Sequence, residues 1–239
     1  MTRQAIIVSH GQPSEPGPQQ AAIEALAAQV AALSPRKVIG ATLAQPGALD
    51  DAVARMPDAL IYPMFMATGW FTGTELPRRL AKAGGTASTV LRPFGRDPAL
   101  PDLCRRSVTE AAKGSGWQPQ QITLLLIAHG SQRARASAEG TEEMAELLRP
   151  RFGRVVTGFI EEAPFLHDAA RDLGPHAIAL PLFATQAEHV TDDIPAGLSS
   201  AGFAGPCLPP IGLSEEVPEM IAAALQRADC VIASEAPDA

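Results

Sequence analysis

Twice in this chain a histidine stands directly behind a short apolar run. His10 follows Ile6-Ile7-Val8-Ser9 and His129 follows Leu124-Leu125-Leu126-Ile127-Ala128, each with a glycine after it. A further histidine, His189, is preceded by Glu188, and an acidic pair, Glu161-Glu162, lies between it and His129. Imidazole and carboxylate together suit a borderline divalent metal such as iron or cobalt. Neutral imidazole also takes up and passes protons near neutral pH. Taken singly, each residue has an ordinary role: a histidine at a strand end caps or packs, paired glutamates form a solvated turn, and Glu188-His189 opens an exposed helix. The chemistry depends on their being brought together. Thiolate chemistry is not part of it, because Cys104, Cys207 and Cys230 are far apart and form no C-x-x-C pair. An iron–sulfur cluster or a zinc knuckle needs more thiolates or closer pairs.

The elements that must position these residues occur twice. The His-Gly dipeptide recurs after 119 residues, and Ile61-Tyr62-Pro63-Met64-Phe65 is echoed by Ala179-Leu180-Pro181-Leu182-Phe183 after 118. The offset of 118 also pairs Arg36 with Arg154, Val38 with Val156, Gly40 with Gly158, Pro46 with Pro164 and Pro77 with Pro195. Leu91-Arg92-Pro93-Phe94-Gly95 matches Leu208-Pro209-Pro210-Ile211-Gly212 at 117. Offsets that drift so slowly mark a tandem duplication. Its junction falls in Lys113–Gln121, where Gly114, Ser115, Gly116 and Pro119 form a linker-like stretch.

Each half alternates β-branched or leucine-rich runs with alanine-rich amphipathic segments. In the first half the runs are Ala5–Val8, Lys37–Thr42, Ala59–Phe65 and Thr86–Leu91, and the segments Gln19–Leu33, Ala48–Met56, Thr74–Ala83 and Leu100–Lys113. This predicts an α/β protein of two similar flavodoxin-like lobes, residues 1–115 and 120–239, facing across a cleft. Each lobe is a parallel sheet flanked by helices. Ligands of such sheets sit beyond the carboxyl ends of the strands, where His10 and His129 are expected.

The halves differ where chemistry is expected. Matched at the same offset, Glu161 and Glu162 correspond to Leu43 and Ala44, and Glu188-His189 to Trp70-Phe71. The C-terminal half therefore carries two histidines and a carboxylate at three strand ends. The N-terminal half keeps His10 and is otherwise apolar.

The C-terminal half resembles the sirohydrochlorin chelatase family (CbiX type, class II chelatases) over nearly its whole length. The resemblance lies in Ala128-His129-Gly130-Ser131, in Gly158-Phe159-Ile160-Glu161-Glu162-Ala163-Pro164-Phe165-Leu166, in His189-Val190-Thr191-Asp192-Asp193-Ile194-Pro195 and in Pro210-Ile211-Gly212. The N-terminal half is similar through Ser9-His10-Gly11 and Pro63-Met64-Phe65, without the glutamate and the later histidine. The resemblance implies that His129, Glu161 and His189 bind the metal or move protons, with Glu162 the alternative carboxylate. A glycine often precedes the later histidine in the family; Glu188 stands there in this chain. The reaction implied is ATP-independent insertion of Fe2+ or Co2+, as substrate rather than resident cofactor, into a polycarboxylate tetrapyrrole. Lacking a histidine-rich tail and a cysteine cluster, the chain is read as favouring iron and sirohaem synthesis over cobalt and cobalamin synthesis. Arg133, Arg135, Ser131 and His10 are the expected substrate-binding residues, with Arg78 and Arg79 behind them. The alternative reading is a metal or tetrapyrrole carrier without turnover.

Other classes fit less well. A net charge of −7 without a basic run argues against nucleic acid. No apolar run approaches the ~18–20 residues of a membrane span. Met1-Thr2-Arg3-Gln4 leads straight into an apolar run, so no secretory signal is read and the cytoplasm is expected. Neither Ser9 nor Ser131 sits in a G-x-S-x-G elbow, and no Walker sequence suggests use of ATP. A self-sufficient monomer is expected, a homodimer being the alternative.

Overall fold

Ala5–Ser9 (β1) is buried at every position, the pattern of a central strand in a parallel sheet covered on both faces. The computed structural model, which describes residues 3–131, 136–186 and 189–235, places it between Val38–Thr42 (β2) and Leu60–Pro63 (β3). Thr89–Val90 (β4) follows β3 at the edge, so the sheet runs β2-β1-β3-β4 with every pairing parallel. Its helices are Pro16–Ala32 (α1), Ala48–Arg55 (α2) and Leu76–Lys82 (α3). Ile6, Val8 and Ile61 pack with Leu49, Val53, Leu76 and Leu80 of α2 and α3. Side chains alternate along a strand, which leaves the other face of the sheet for α1.

The second repeat builds a sheet of order β6-β5-β7 from Thr123–Ala128 (β5), Arg154–Phe159 (β6) and Ala177–Pro181 (β7). Where β4 stands in the first sheet, this one has a single parallel bridge between Ala179 and Cys207. Leu100–Lys113 (α4) precedes it, and Ala136–Leu148 (α5), Leu166–Ala169 (α6) and Ile194–Ser200 (α7) follow in chain order. The last helix is Val217–Glu235 (α8).

The chain forms two compact units: residues 1–97 with 215–239, and residues 98–214. Thus α4, which ends the first sequence repeat, belongs with the second sheet, and α8, which ends the second repeat, belongs with the first. Sequence repetition divides the chain in one way and packing in another. Two ion pairs fasten α8 to its unit. Arg36, its side chain only 2% exposed, donates from Nη2 to Asp229 Oδ2 at 2.8 Å, and Arg227 reaches Asp97 at 3.0 Å. The Tyr62 hydroxyl donates to the same Asp97 carboxylate at 3.2 Å. Burial, then the neighbouring Asp97 charge, push the Tyr62 phenol far above its ordinary range.

Backbone hydrogen bonds repeat along with the sequence. Met64 N–H donates to Val8 O and Leu182 N–H to Ile127 O, both at 2.7 Å. Gly95 N–H donates to Phe65 O at 3.0 Å and Gly212 N–H to Phe183 O at 2.9 Å. One correspondence must be corrected. Ala5 pairs with Val38 and Leu124 with Val155, so across β2 and β6 the offset is 117, not 118. Gly40 and Gly158 are not equivalent: a Cβ on Gly40 would strike the Ile23 carbonyl of α1, and one on Gly158 would meet Ala169 of α6. They lie on opposite faces, as a slip of one residue in a strand requires.

Cys104 is fully buried and its thiol is pushed up to about 12 by desolvation, which suits an inert core residue. No described helix is long and apolar enough to cross a membrane.

Candidate functional site

Both strand-end histidines are set by the glycine that follows. Gly11 and Gly130 have φ of +73° and +72°, a region closed to most side chains. A Cβ on Gly130 would also come within 2.9 Å of Glu162 Cγ, and one on Gly11 within 2.8 Å of Thr42 Cβ. The chain therefore turns sharply past each strand and brings the histidine ring back over its own loop. His129 Nδ1 lies 3.0 Å from Gly130 O and His10 Nδ1 2.7 Å from Gly11 O. A carbonyl oxygen only accepts, so Nδ1 carries the proton in the neutral ring and Nε2 is the basic nitrogen.

The corrected register decides which carboxylate meets which group. Ile160 N–H donates to Ala128 O and Glu161 N–H to His129 O, as Leu43 N–H does to Ser9 O and Ala44 N–H to His10 O. Ile160 accordingly packs against the core of its unit, as Leu43 does in the other. Glu161 takes the position of Ala44, and the loop to Pro164 is one residue longer than that from Ala44 to Pro46. The two glutamates then separate. Glu161 Oε2 is 3.6 Å from His129 Nδ1, with the two side chains 48% and 36% exposed. Glu162 Oε1 accepts the Ser131 backbone N–H at 2.8 Å and so fastens the His-Gly loop to the end of β6. Its partner is a main-chain group, which no spacing of side chains in the sequence could reveal.

Beyond the third strand of each unit a single π-helical turn runs straight into a helix: Phe71–Glu75 into α3 and His189–Asp193 into α7. Such turns are rare and concentrate at functional sites. His189 is the first residue of its turn, the place Phe71 holds in the other. In the N-terminal unit the Phe71 ring stands edge-on to His10, centroids 4.4 Å apart. The repeat thus sets the backbone of His189 where that of Phe71 stands beside the first-strand histidine. Arg133, Arg135 and Glu188 lie outside the described residues. Among the described residues no group of three His, Cys, Asp or Glu is placed to hold a metal ion.

Arg78 and Arg79 are engaged by Glu75, a carboxylate with only 6% of its side chain exposed. Arg78 donates to it from Nε at 2.9 Å and Nη2 at 2.8 Å, and Arg79 from Nε at 2.6 Å. Arg79 also donates from Nη1 to Leu43 O at 2.6 Å. The hydrogen bond from Arg78, then that from Arg79, hold the Glu75 carboxyl down at about 2 against an ordinary 4.5. A carboxylate with a depressed folded pKa stabilises the fold above its unfolded pKa, and that contribution is lost as pH falls through the folded value. In urea titrations the wild type is expected to exceed Glu75→Gln in stability near pH 7 and to lose that advantage as pH falls from about 4.5 to about 2. A constant difference across that range would show that the trio does not act electrostatically.

Ser9 does not behave as a nucleophile's side chain should. It is 1% exposed, and its hydroxyl has no hydrogen-bond partner among the described residues.

A family model described as CbiX matches the chain twice, over residues 4–111 and 123–228. No curated protein matches. Among solved structures, CbiX, described as the terminal enzyme for biosynthesis of siroheme in denitrifying bacteria, is 57% identical with a TM-score of 0.88. That match covers 95% of this chain and 99% of the other. SirB from Bacillus subtilis with Fe3+ is 15% identical, TM-score 0.77, over 98% of both chains. A multi-domain protein of Deinococcus radiodurans, described as structurally similar to chelatases, is 22% identical, TM-score 0.70, over 94% of this chain and 55% of its own. At those identities the last two share the fold alone. Matched once in each repeat, with corresponding backbone hydrogen bonds at the strand ends of both sheets, the chain belongs to the CbiX family.

Proposed function

We propose that the chain is a sirohydrochlorin chelatase that inserts Fe2+, in preference to Co2+, into the tetrapyrrole to give sirohaem. The observation that carries this reading is the 57% identity, across 95% of the chain, with a CbiX described as the terminal enzyme of siroheme biosynthesis. The local geometry supports it. Insertion removes two pyrrole N–H protons from the ring and strips water from the metal, so the site must hold a cation and accept protons. His129 presents Nε2 as ligand or base because Gly130 O fixes the proton on Nδ1. Glu161, 3.6 Å from Nδ1, offsets the charge that develops when the ring is protonated. His189 acts as the second imidazole. Glu162 holds the loop rather than the metal. Arg133 and Arg135 pair with the substrate's carboxylates, and Ser131 and His10 border the ring. The metal is a substrate, the enzyme keeps no permanent cofactor, and no nucleotide is consumed. We place it in the cytoplasm as a monomer.

The test is anaerobic absorbance of sirohydrochlorin with protein and either Fe2+ or Co2+, no nucleotide added, against the rate without protein. Many turnovers, faster with Fe2+, are expected. Faster turnover with Co2+ would overturn the metal preference. Stoichiometric binding without acceleration would make the chain a carrier.

A further inference from the structure

Among the described residues β2 is an edge strand, with β1 on one side and no strand on the other. Ala5 N–H donates to Lys37 O and Leu43 N–H to Ser9 O, so the odd-numbered residues of β2 bond to β1. Val38, Gly40 and Thr42 therefore turn their amides and carbonyls outward. Beside them an open groove of about 470 Å³ runs between α1 and α2, lined among others by Gln20, Glu24, Val38, Gly40, Asp51 and Arg55. A bare strand edge is a template for another strand.

One side chain shuts the groove near the carboxyl end of β2. Gln20 Oε1 accepts the Thr42 N–H at 2.8 Å, and Gln20 Nε2 donates to Gly40 O at 3.2 Å. These are the two groups that one residue of a further parallel strand would bond. The rest of the amide is engaged as well: Oε1 accepts from the Thr42 hydroxyl at 3.1 Å, and Nε2 donates to Glu24 Oε1 at 2.7 Å. A primary amide offers two donors and two lone pairs, and all four are used. Gly40 makes the reach possible, since a Cβ there would lie 2.4 Å from Ile23 O of α1. The C-terminal unit closes the equivalent point by other means. Phe159, which the register sets at the place of Thr42, donates its N–H to Pro164 O at 2.9 Å and forms a parallel bridge with Phe165. There the chain itself supplies a stub of the next strand. In the N-terminal unit a side chain does.

We propose that Gln20 is a surrogate strand, a lock that keeps the β2 edge from pairing with the same edge of a second copy of this chain. Two copies meeting there about a twofold axis would lay β2 against β2 and join their sheets into one. Removal of the amide leaves Gly40 O and the Thr42 N–H bare, and an incoming strand satisfies both.

The experiment compares the full chain with Gln20→Ala and Gln20→Glu by sedimentation velocity over a roughly hundredfold range of concentration. Alanine is a strong helix former and Gln20 lies on a helix, so the variant is expected to fold, which circular dichroism checks. With rising concentration Gln20→Ala is expected to shift towards the mass of a dimer while the wild type does not. In the dilute variant the Thr42 amide should exchange with solvent about tenfold faster than in the wild type. Gln20→Glu keeps an acceptor for the Thr42 N–H and sets a charge at the edge beside Glu24, so it is expected to sediment as the wild type does. A Gln20→Ala curve that follows the wild type would overturn the lock. Equal association of Gln20→Glu would overturn it too, by tracing the effect to lost stability rather than to a bare edge. Equal exchange at Thr42 in wild type and Gln20→Ala would remove the surrogate bonding itself.

Discussion

His129→Ala is expected to lower the rate of metal insertion by roughly 100- to 10,000-fold, the range over which positioned acid–base groups act. The reason is local. With Nδ1 committed to Gly130 O, the ring has one basic nitrogen, and alanine leaves nothing in its place to bind the metal or accept a pyrrole proton. His189→Ala is expected to fall in the same range. The glutamates separate the mechanism from mere stability. Glu161→Gln keeps the shape but loses the charge beside His129, and is expected to cost roughly tenfold in rate with stability unchanged. Glu162→Gln keeps an oxygen that can accept the Ser131 N–H, so its rate should stay near wild type. Single-turnover kinetics on the four variants decide it. If Glu162→Gln were the slower of the two amides, the roles assigned to the carboxylates would have to be exchanged.

Asp229→Ala is expected to lower stability by on the order of 3 kcal/mol, as removal of one partner from a buried ion pair does. Arg36 stays behind with 2% of its side chain exposed. It then relies on Ser34 Oγ at 3.1 Å and Arg3 O at 3.1 Å, neither of which carries charge. The contrast is Asp102→Ala. Asp102 pairs with Arg105 and Arg106 on the surface and is itself 58% exposed, and such pairs contribute under about 1 kcal/mol. Urea midpoints for both variants measure the difference. A loss in Asp229→Ala no larger than in Asp102→Ala would mean that water reaches Arg36 once its partner is gone.

The sheets and the His-Gly turns were legible because hydrophobic runs and alternating helical segments leave few other ways to cover a parallel sheet. Comparison of the two halves marks Glu161, Glu162, Glu188 and His189 as residues that the N-terminal copy lacks, and the family resemblance favours Glu161 and His189 among them. The second strand differs by one residue from the offset that its sequence suggests. Identical glycines suggested equivalence, but Gly40 makes room for the α1 backbone and Gly158 for α6, and identity of type does not tell which face a residue serves. Glu162 was undifferentiated from Glu161 because its partner is a backbone N–H. The pairing of Arg227 with Asp97, 130 residues apart, left no local trace. Nor did the placement of α4 and α8: an amphipathic stripe says that a helix covers a sheet, not which one.

That placement has a consequence for the order in which the protein can be completed. Residues 98–214 form an unbroken stretch, so the C-terminal unit has all its parts before α8 is made. The sheet of the N-terminal unit is made before that of the other, yet it must wait for α8, which carries Arg227 and Asp229. A stop just before Val217 would therefore injure the unit built from residues 1–97 and spare the one built after it. The unit carrying His129 and Glu161 would keep its chain entire, and proteolysis of the truncated product should begin within residues 1–97.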